Sequence, residues 1–240
     1  KEFMPYSSLD MIHLGVDWEV YHPLSEKDVL KKKHNLNGQF VVGCIARNQI
    51  RKRFDKLIEG FAIFARNHKD VHLYLKTEAN TEHGYLIPDI VKYYGISNKI
   101  TVDEHREYCG SSENSAVEMY NLFDVYVQTA GVEGFGFPFL EAMACGVPVI
   151  APDYSAMSEL IAGRGILLRP VYGRVVGGTC IEHGAIHTDE LASKLEELYT
   201  DSEKREKIRA KGMEYAKEFS WERFHTRWRE VLANVAWDLN

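Results

Sequence analysis

Two acidic side chains, Glu133 and Glu141, stand eight positions apart, with a glycine-rich turn and the start of a short predicted helix between them. Pro138 suits the first turn of that helix, and Gly146 suits the position just after its end. A helix that begins behind a glycine-rich turn presents free N–H groups, which bind anions and most naturally phosphate. Carboxylates would repel a phosphate, but they readily accept hydrogen bonds from hydroxyl groups. Hydroxyls beside a phosphate indicate a nucleotide sugar as the ligand.

Two cations, Arg47 and Lys52, stand five positions apart in the turn after the first predicted strand. Arginine can bind a diphosphate with two parallel hydrogen bonds, and lysine supplies a compact point charge. Cleavage of an anomeric C–O bond leaves negative charge on a nucleoside diphosphate, which preplaced cations and helix N–H groups stabilise. Because the sequence has no Asp-x-Asp or other carboxylate cluster typical of Mg²⁺ sites, we predict no metal. The alternative is a solvated basic turn.

Residues 39–200 alternate between strand and helix patterns. An apolar stripe of period 3.6 predicts a helix over 52–68, and further helices are expected over 85–94 and 155–162. The alternation predicts an α/β fold, with a Rossmann-like parallel six-stranded sheet and helices on both faces. The six predicted strands are 41–46, 71–76, 99–103, 124–129, 147–151 and 165–169.

Three candidate ligand-binding residues, Arg47, His105 and Glu133, each follow a predicted strand. Ligands of open parallel sheets bind at the carboxyl ends of the strands. We therefore expect these three side chains to share one rim of the sheet.

The block from Glu133 to Ile150 contains Glu-Gly-Phe-Gly, Pro138, Leu-Glu-Ala-Met-Ala-Cys-Gly and Pro-Val-Ile. This block resembles the Glu-x7-Glu motif of the retaining GT-B glycosyltransferases of family 4, the group 1 glycosyltransferases. The resemblance covers about residues 12–235 and implies the C-terminal, donor-binding half of a GT-B fold. The family's Arg and Lys spacing fits Arg47 and Lys52. Arg53 stands where the family usually has glycine, which makes the loop path uncertain and adds a candidate third cation.

The resemblance also implies roles for the site residues. Glu133 and the backbone N–H groups of Gly134, Phe135, Gly136 and Phe137 would hold sugar hydroxyls and phosphate. Glu141 would accept hydrogen bonds from the ribose, and Arg47 and Lys52 would bind the diphosphate. The catalytic set is then Glu133, Arg47 and Lys52. The family retains anomeric configuration, and the leaving phosphate can deprotonate the acceptor, so neither an enzymatic base nor a cofactor is expected beyond a UDP- or GDP-linked sugar substrate.

The resemblance divides the chain into three parts. Residues 1–23 contain Gly15-Val-Asp and Tyr21-His-Pro, and they look like the connector between the two family domains. Residues 24–218 form the Rossmann-like nucleotide-sugar-binding domain, and 219–240 form a C-terminal crossover helix. We therefore expect an incomplete, inactive fragment whose partner is its own N-terminal acceptor-binding domain.

Composition excludes several other classes of protein. The 240 residues are 45% hydrophobic, with a formal net charge of −6 and a pI near 5.9, which argues against nucleic acid as a partner. No apolar run is long enough to cross a membrane, so membrane contact is expected only through the missing half. Residues 1–16 show no signal-peptide pattern. The four cysteines form no C-x-x-C pair, which favours a reduced, cytoplasmic setting.

Other readings remain open at this stage. The chain could be a noncatalytic nucleotide-sugar-binding module, or a GT-B relative such as a sugar phosphorylase or epimerase. His183-x3-His187 has the spacing of metal ligands, but Gly184 argues against the helix they would need. Gly134-x-Gly136 does not continue into a nicotinamide-binding pattern, because position 139 is Phe. Residues 171–187 read as an irregular excursion or hairpin.

Overall fold

A computed structural model describes residues 11–104, 113–171, 175–176 and 181–237 of the chain. Six of its strands are β1 (Phe40–Ile45), β2 (Val71–Lys76), β3 (Ile100–Asp103), β4 (Val125–Val127), β5 (Val149–Pro152) and β6 (Ile166–Leu168). These strands form one sheet in the order β3-β2-β1-β4-β5-β6, and every pairing within it is parallel. The predicted six-stranded parallel sheet is confirmed.

The sheet is built in two halves that meet between β1 and β4. The chain first runs outward from β1 through β2 to β3, and then β4 returns to pair with the other side of β1, where Val42 lies opposite Val125. Such a reversal of strand order opens a crevice at the carboxyl ends of the two central strands. The loops that leave β1 and β4 therefore meet at that crevice.

Helices cover both faces of the sheet. The described residues contain α1 (Lys27–Lys33), α2 (Phe54–Phe64), α3 (Ile87–Tyr94), α4 (Glu113–Leu122), α5 (Phe137–Ala144), α6 (Ala156–Ile161), α7 (Thr188–Thr200), α8 (Ser202–Ala216) and α9 (Trp221–Trp237). Side chains of successive strand residues point to opposite faces, so Val42 packs in one apolar cluster with α2 and α7. Its neighbour Val41 packs in a second cluster with α4 and α5.

The loop after β1 departs from the prediction of one helix over 52–68. Ile50–Lys52 form a short 3-10 turn, Arg53 follows with φ 54° and ψ 46°, and α2 runs only from Phe54 to Phe64. The left-handed backbone of Arg53 is the reason, because a right-handed helix cannot continue through it. Arg53 thus adopts the conformation that glycine would adopt at low cost.

The charge of Arg53 is matched locally. Its guanidinium donates to both carboxylate oxygens of Asp55 at 3.0 Å. Burial raises the pKa of the Asp55 carboxyl, but the hydrogen bonds and charge of Arg53 outweigh burial and hold that pKa below its usual value. Arg53 therefore stabilises the turn, and its guanidinium charge is neutralised by Asp55 and is not available to bind an anion.

The segment between β6 and α7 forms a hairpin, which is one of the two forms that the sequence left open. Strand β7 (Pro170–Val171) pairs antiparallel with β10 (Ala185–Ile186). Between them, β8 (Val175–Val176) pairs antiparallel with β9 (Ile181–Glu182). The hairpin ends beside the loop that follows β4, because Gly184 N donates to Gly131 O at 3.0 Å.

The predicted connector packs against the C-terminal helices. Val16 N donates to Phe219 O at 2.6 Å, and Trp18 Nε1 donates to Ala216 O at 3.1 Å. Beyond this contact α9 carries the exposed side chains of Trp228 and Leu232. No helix among the described residues combines the length and apolar character needed to span a bilayer.

Substitutions at Arg53 test the left-handed turn. Arg53→Gly and Arg53→Ala both remove the ion pair with Asp55, but only alanine keeps the strain of a positive φ. We expect the glycine variant to be the more stable by about 1 kcal/mol in the free energy of unfolding, measured with urea. Asp55→Asn serves as the control, because it removes the ion pair without changing the backbone. Equal stability of the two variants would contradict the assigned conformation.

Candidate donor-binding site

The Glu133 carboxylate lies between two cations from the turn after β1. Lys52 Nζ donates to Oε1, and Arg51 Nη1 contacts Oε2 at 3.2 Å. Gln128, at the end of β4, donates its Nε2 to Oε1 at 3.2 Å. The side chains of Lys52 and Glu133 are 8% and 9% exposed, so their ion pair is withdrawn from water. The sequence predicts Glu133 on the rim and Lys52 in the turn after the first strand, but it predicts neither their direct contact nor the part played by Arg51 and Gln128.

The cluster of Arg51, Lys52 and Glu133 carries a net positive charge. Burial of the Lys52 ammonium lowers its pKa, while the Glu133 carboxylate raises it in part. Two cations and one carboxylate leave a net charge of +1 when all are ionised. An acidic residue that would otherwise repel an anion is therefore offset by its own neighbours.

Backbone hydrogen bonds join the loop after β1 to the loop after β4. Gly131 N donates to Arg51 O at 2.7 Å, and Thr129 Oγ1 donates to Arg53 O at 2.8 Å. Arg51 Nη1 also donates to Val132 O at 3.1 Å. The two loops therefore form one unit, and the position of Glu133 depends on both.

The N-terminus of α5 is open, as the sequence predicts. Gly136 precedes the helix with φ 97°, Pro138 lies in the first turn, and no side chain caps the free N–H groups. The first turn carries no acidic residue, so the partial positive charge of the helix end is not offset locally. A Cβ added at Gly134 would meet none of the described atoms within 4 Å. Gly134 is exposed, so these features leave the backbone directly after Glu133 accessible to an anionic ligand at that position.

Glu141, in the middle of α5, is hydrogen-bonded to a tyrosine that the sequence analysis missed. Tyr120 Oη donates to Glu141 Oε2 at 2.6 Å. Burial raises the pKa of the Glu141 carboxyl, and the hydrogen bonds from Tyr120 and Tyr21 oppose that rise. Tyr120 in turn packs against Tyr126, with ring centroids 5.8 Å apart. In sequence both tyrosines look like ordinary core residues of an amphipathic helix and a buried strand.

Arg47 and Glu133 follow β1 and β4, and they therefore lie on one rim of the sheet, as predicted. The structure adds that these two strands are neighbours. Arg47 is exposed, and its guanidinium pairs with no side chain in the described part of the chain. It is therefore a cation available to a ligand at the same rim as Lys52. The third predicted rim residue, His105, lies outside the described residues.

The two histidines with metal-like spacing flank a short strand along the chain. His183 precedes β10 and is buried, whereas His187 follows β10 and is exposed. They share no helix, as Gly184 indicated. Within the described ranges, no three His, Cys, Asp or Glu side chains are grouped so that they could hold a metal ion.

Comparison with known proteins identifies the family. The chain belongs to the glycosyl transferases group 1 family, whose pattern it matches over residues 26–215. The chain is 26% identical over 249 aligned positions to a GDP-mannose-dependent α-(1-6)-phosphatidylinositol monomannoside mannosyltransferase of Mycobacterium tuberculosis, covering 98% of the chain and 56% of the relative. The chain therefore spans about half the length of this relative, and it spans 42% of O-antigen chain mannosyltransferase B of Escherichia coli, to which it is 24% identical over 82% of its own length.

Solved structures show the same fold. The C-terminal domain of the glycosyl transferase group 1 protein LpcC from Francisella tularensis is 25% identical, with a TM-score of 0.70, covering 85% of this chain and 97% of that domain. Anabaena Alr3699/HepE in complex with UDP-glucose is 21% identical, with a TM-score of 0.76, covering 94% of this chain and 57% of that one. The predicted family and fold, the C-terminal half of a GT-B glycosyltransferase, are confirmed.

Disruption of the buried ion pair gives a test of the site's architecture. Lys52→Met leaves the buried Glu133 carboxylate with Arg51 and Gln128 as its remaining partners. Loss of one partner of a buried pair costs about 3–5 kcal/mol, so we expect a loss of at least about 2 kcal/mol in the free energy of unfolding. Adding Glu133→Gln removes the buried charge as well and should recover part of that loss, as measured by urea unfolding of both single variants and the double variant.

The control is Lys56→Met, which removes a lysine from the more exposed pair with Glu59. Such pairs contribute at most about 1 kcal/mol, so this variant should stay close to the parent. Strictly additive losses in the Lys52 and Glu133 variants would show that the two side chains are not coupled.

Proposed function

We propose that this chain is the donor-binding half of a glycosyltransferase that moves a sugar from a nucleoside diphosphate sugar to an acceptor. The observation that carries the proposal is the placement of Glu133. Its carboxylate is paired with Lys52 and Arg51 in the crevice between β1 and β4, and the short loop that follows Glu133 leads into the uncapped N-terminus of α5 at Phe137. One position thus offers a hydrogen-bond acceptor for sugar hydroxyls beside a site for anions.

The diphosphate is bound, in this proposal, by three positive groups. Arg47 and Lys52 supply charge from the loop after β1, and the backbone N–H groups from Gly134 to Phe137 supply donors from the start of α5. The net charge of +1 on the Lys52, Arg51 and Glu133 cluster permits an anion to approach a carboxylate. The exposed guanidinium of Arg47 adds a further positive charge at the rim.

The two glutamates have different partners in the donor. Glu133 accepts hydrogen bonds from the transferred sugar. Glu141 accepts hydrogen bonds from the ribose, since a carboxylate has about four acceptor positions and the phenols of Tyr120 and Tyr21 leave some of them free. Both ligand groups therefore meet preplaced acceptors on the two sides of the phosphate site.

The reaction proceeds with retention and without a metal ion. The anomeric C–O bond to the leaving phosphate breaks as a new bond forms from the acceptor oxygen on the same face of the sugar. The departing phosphate oxygen takes the acceptor's proton, so the protein need not supply a base. Arg47, Lys52 and the α5 N–H groups stabilise the charge that accumulates on the nucleoside diphosphate, which is the task a metal ion performs elsewhere.

Substitution of each charged residue distinguishes these roles. Glu133→Gln should weaken binding of GDP-mannose or UDP-glucose about tenfold or more without weakening GDP or UDP, because its partner is the sugar. Glu141→Gln and Arg47→Ala should weaken all four ligands, since ribose and diphosphate occur in each. Calorimetry on the folded variants measures this, with Glu214→Gln on the exposed side of α8 as control. If Glu133→Gln weakened the binding of sugar-free and sugar-bearing ligands equally, the proposed division of roles between the two glutamates would be refuted.

Transfer itself requires an acceptor held about 3–3.5 Å from the anomeric carbon. We propose that a further domain of the natural protein holds it, since curated relatives are about twice as long as this chain. The 240-residue chain should then bind donor and hydrolyse it slowly, without transferring sugar to added acceptors.

Labelled donor with candidate acceptors tests this, first with this chain and then with the rest of the natural protein restored. Efficient transfer by the chain alone would refute the proposed division. Binding that never leads to transfer in the restored protein would favour a noncatalytic nucleotide-sugar-binding module.

A further inference from the structure

The backbone of Ser155, between β5 and α6, is strained. Ser155 has φ 53° and ψ −145°, close to a region of conformational space that glycine occupies and residues with a side chain avoid. Two other non-glycine residues in the described ranges, Asn35 and Arg53, have a positive φ. A residue keeps such a conformation only where other interactions in the folded structure compensate its energetic cost.

The hydroxyl of Ser155 contacts Glu133 instead of its own helix. Serine before a helix usually accepts a hydrogen bond from an N–H group in the first turn. At Ser155 no side-chain cap of α6 forms, and Oγ accepts from Glu133 N at 3.0 Å. The unusual backbone conformation therefore directs the hydroxyl toward the loop after β4.

This contact completes the attachment of Glu133 to the rest of the fold. The loop is held at Gly131 by Arg51 O and Gly184 N, and the Glu133 carboxylate is held by Lys52 and Arg51. Ser155 follows β5, in the same half of the sheet as Glu133, and its hydroxyl accepts from the backbone N–H of Glu133. A glycine at position 155 would make the turn without strain, but it would leave that N–H without this acceptor.

We propose that Ser155 is a positioning residue that fixes the Glu133 backbone for binding of the donor sugar. This inference rests on the proposed function, in which Glu133 accepts hydrogen bonds from the sugar. Ser155 acts through Glu133 and is strained for that purpose. Removal of its hydroxyl should loosen the acceptor for the sugar while the cations and helix N–H groups that bind the diphosphate remain in place.

Two substitutions separate the hydroxyl from the backbone strain. Ser155→Gly removes the hydroxyl and relieves the strain, whereas Ser155→Ala removes the hydroxyl and keeps the strain. We expect Ser155→Gly to raise the melting temperature above that of Ser155→Ala. We also expect both variants to lose about three- to tenfold in affinity for GDP-mannose or UDP-glucose, with unchanged affinity for GDP or UDP. Ser158→Ala, in the middle of α6, is the matched control and should behave as the parent in every assay.

Hydrogen exchange of the Glu133 amide, followed by NMR in the ligand-free chain, tests the contact without any ligand. It should be protected in the parent and in Ser158→Ala, and faster in both Ser155 variants. If Ser155 served only the turn, Ser155→Gly would match the parent in exchange and in sugar affinity, and the inference would be overturned. If Ser155→Ala does not fold, Ser155→Gly carries the test. A different result would separate the two proposals. If the Ser155 variants lose protection of the Glu133 amide, but the parent does not prefer sugar-bearing ligands, the contact between Ser155 and Glu133 is upheld. The proposed function and the role of Ser155 in sugar binding are then both rejected.

Discussion

The buried ion pair between Lys52 and Glu133 joins the two halves of the sheet at the point where the strand order reverses. Lys52 comes from the loop after β1 and Glu133 from the loop after β4, so each charge is paired with a residue of the other half. Removing two charges from water costs several kcal/mol per ion unless further hydrogen bonds compensate. Arg51 and Gln128 supply those bonds. The geometry of the crevice therefore depends on the relative position of the two loops.

Two of the three non-glycine residues with a positive φ in the described ranges lie near that crevice. The left-handed backbone of Arg53 turns the chain from Lys52 into α2, and Gly136 opens the loop before α5. Ser155 adds a third unusual conformation in the loop after β5, with its hydroxyl on the Glu133 amide. The strands beneath pack regularly in two apolar clusters, which provide the rigidity that such local strain requires.

Much of the fold follows from the sequence because its signals are local. Alternating apolar strands and a helical stripe are enough to predict a parallel sheet covered on both faces, and all six strands are found where they were expected. The turn chemistry is local as well, so Pro138 and Gly146 correctly mark the two ends of α5. The boundaries of α2 were less accurate, because a left-handed arginine is not apparent from an amphipathic pattern. The motif residues could be assigned to one rim because parallel strands all end at the same edge.

The sequence by itself determined the family, the order of the elements and the rim on which Arg47 and Glu133 lie, and it placed Lys52 in the turn after the first strand. Only the tertiary structure decided which cations pair with which acids. Arg51, Lys52 and Arg53 are consecutive in sequence, yet the first two meet Glu133 and the third meets Asp55. The contacts of Ser155 with Glu133 and of Tyr120 with Glu141 likewise join different elements. Spacing along a chain fixes local periodicity, whereas these partners are set by how loops and helices pack in three dimensions, and no local pattern carries that information.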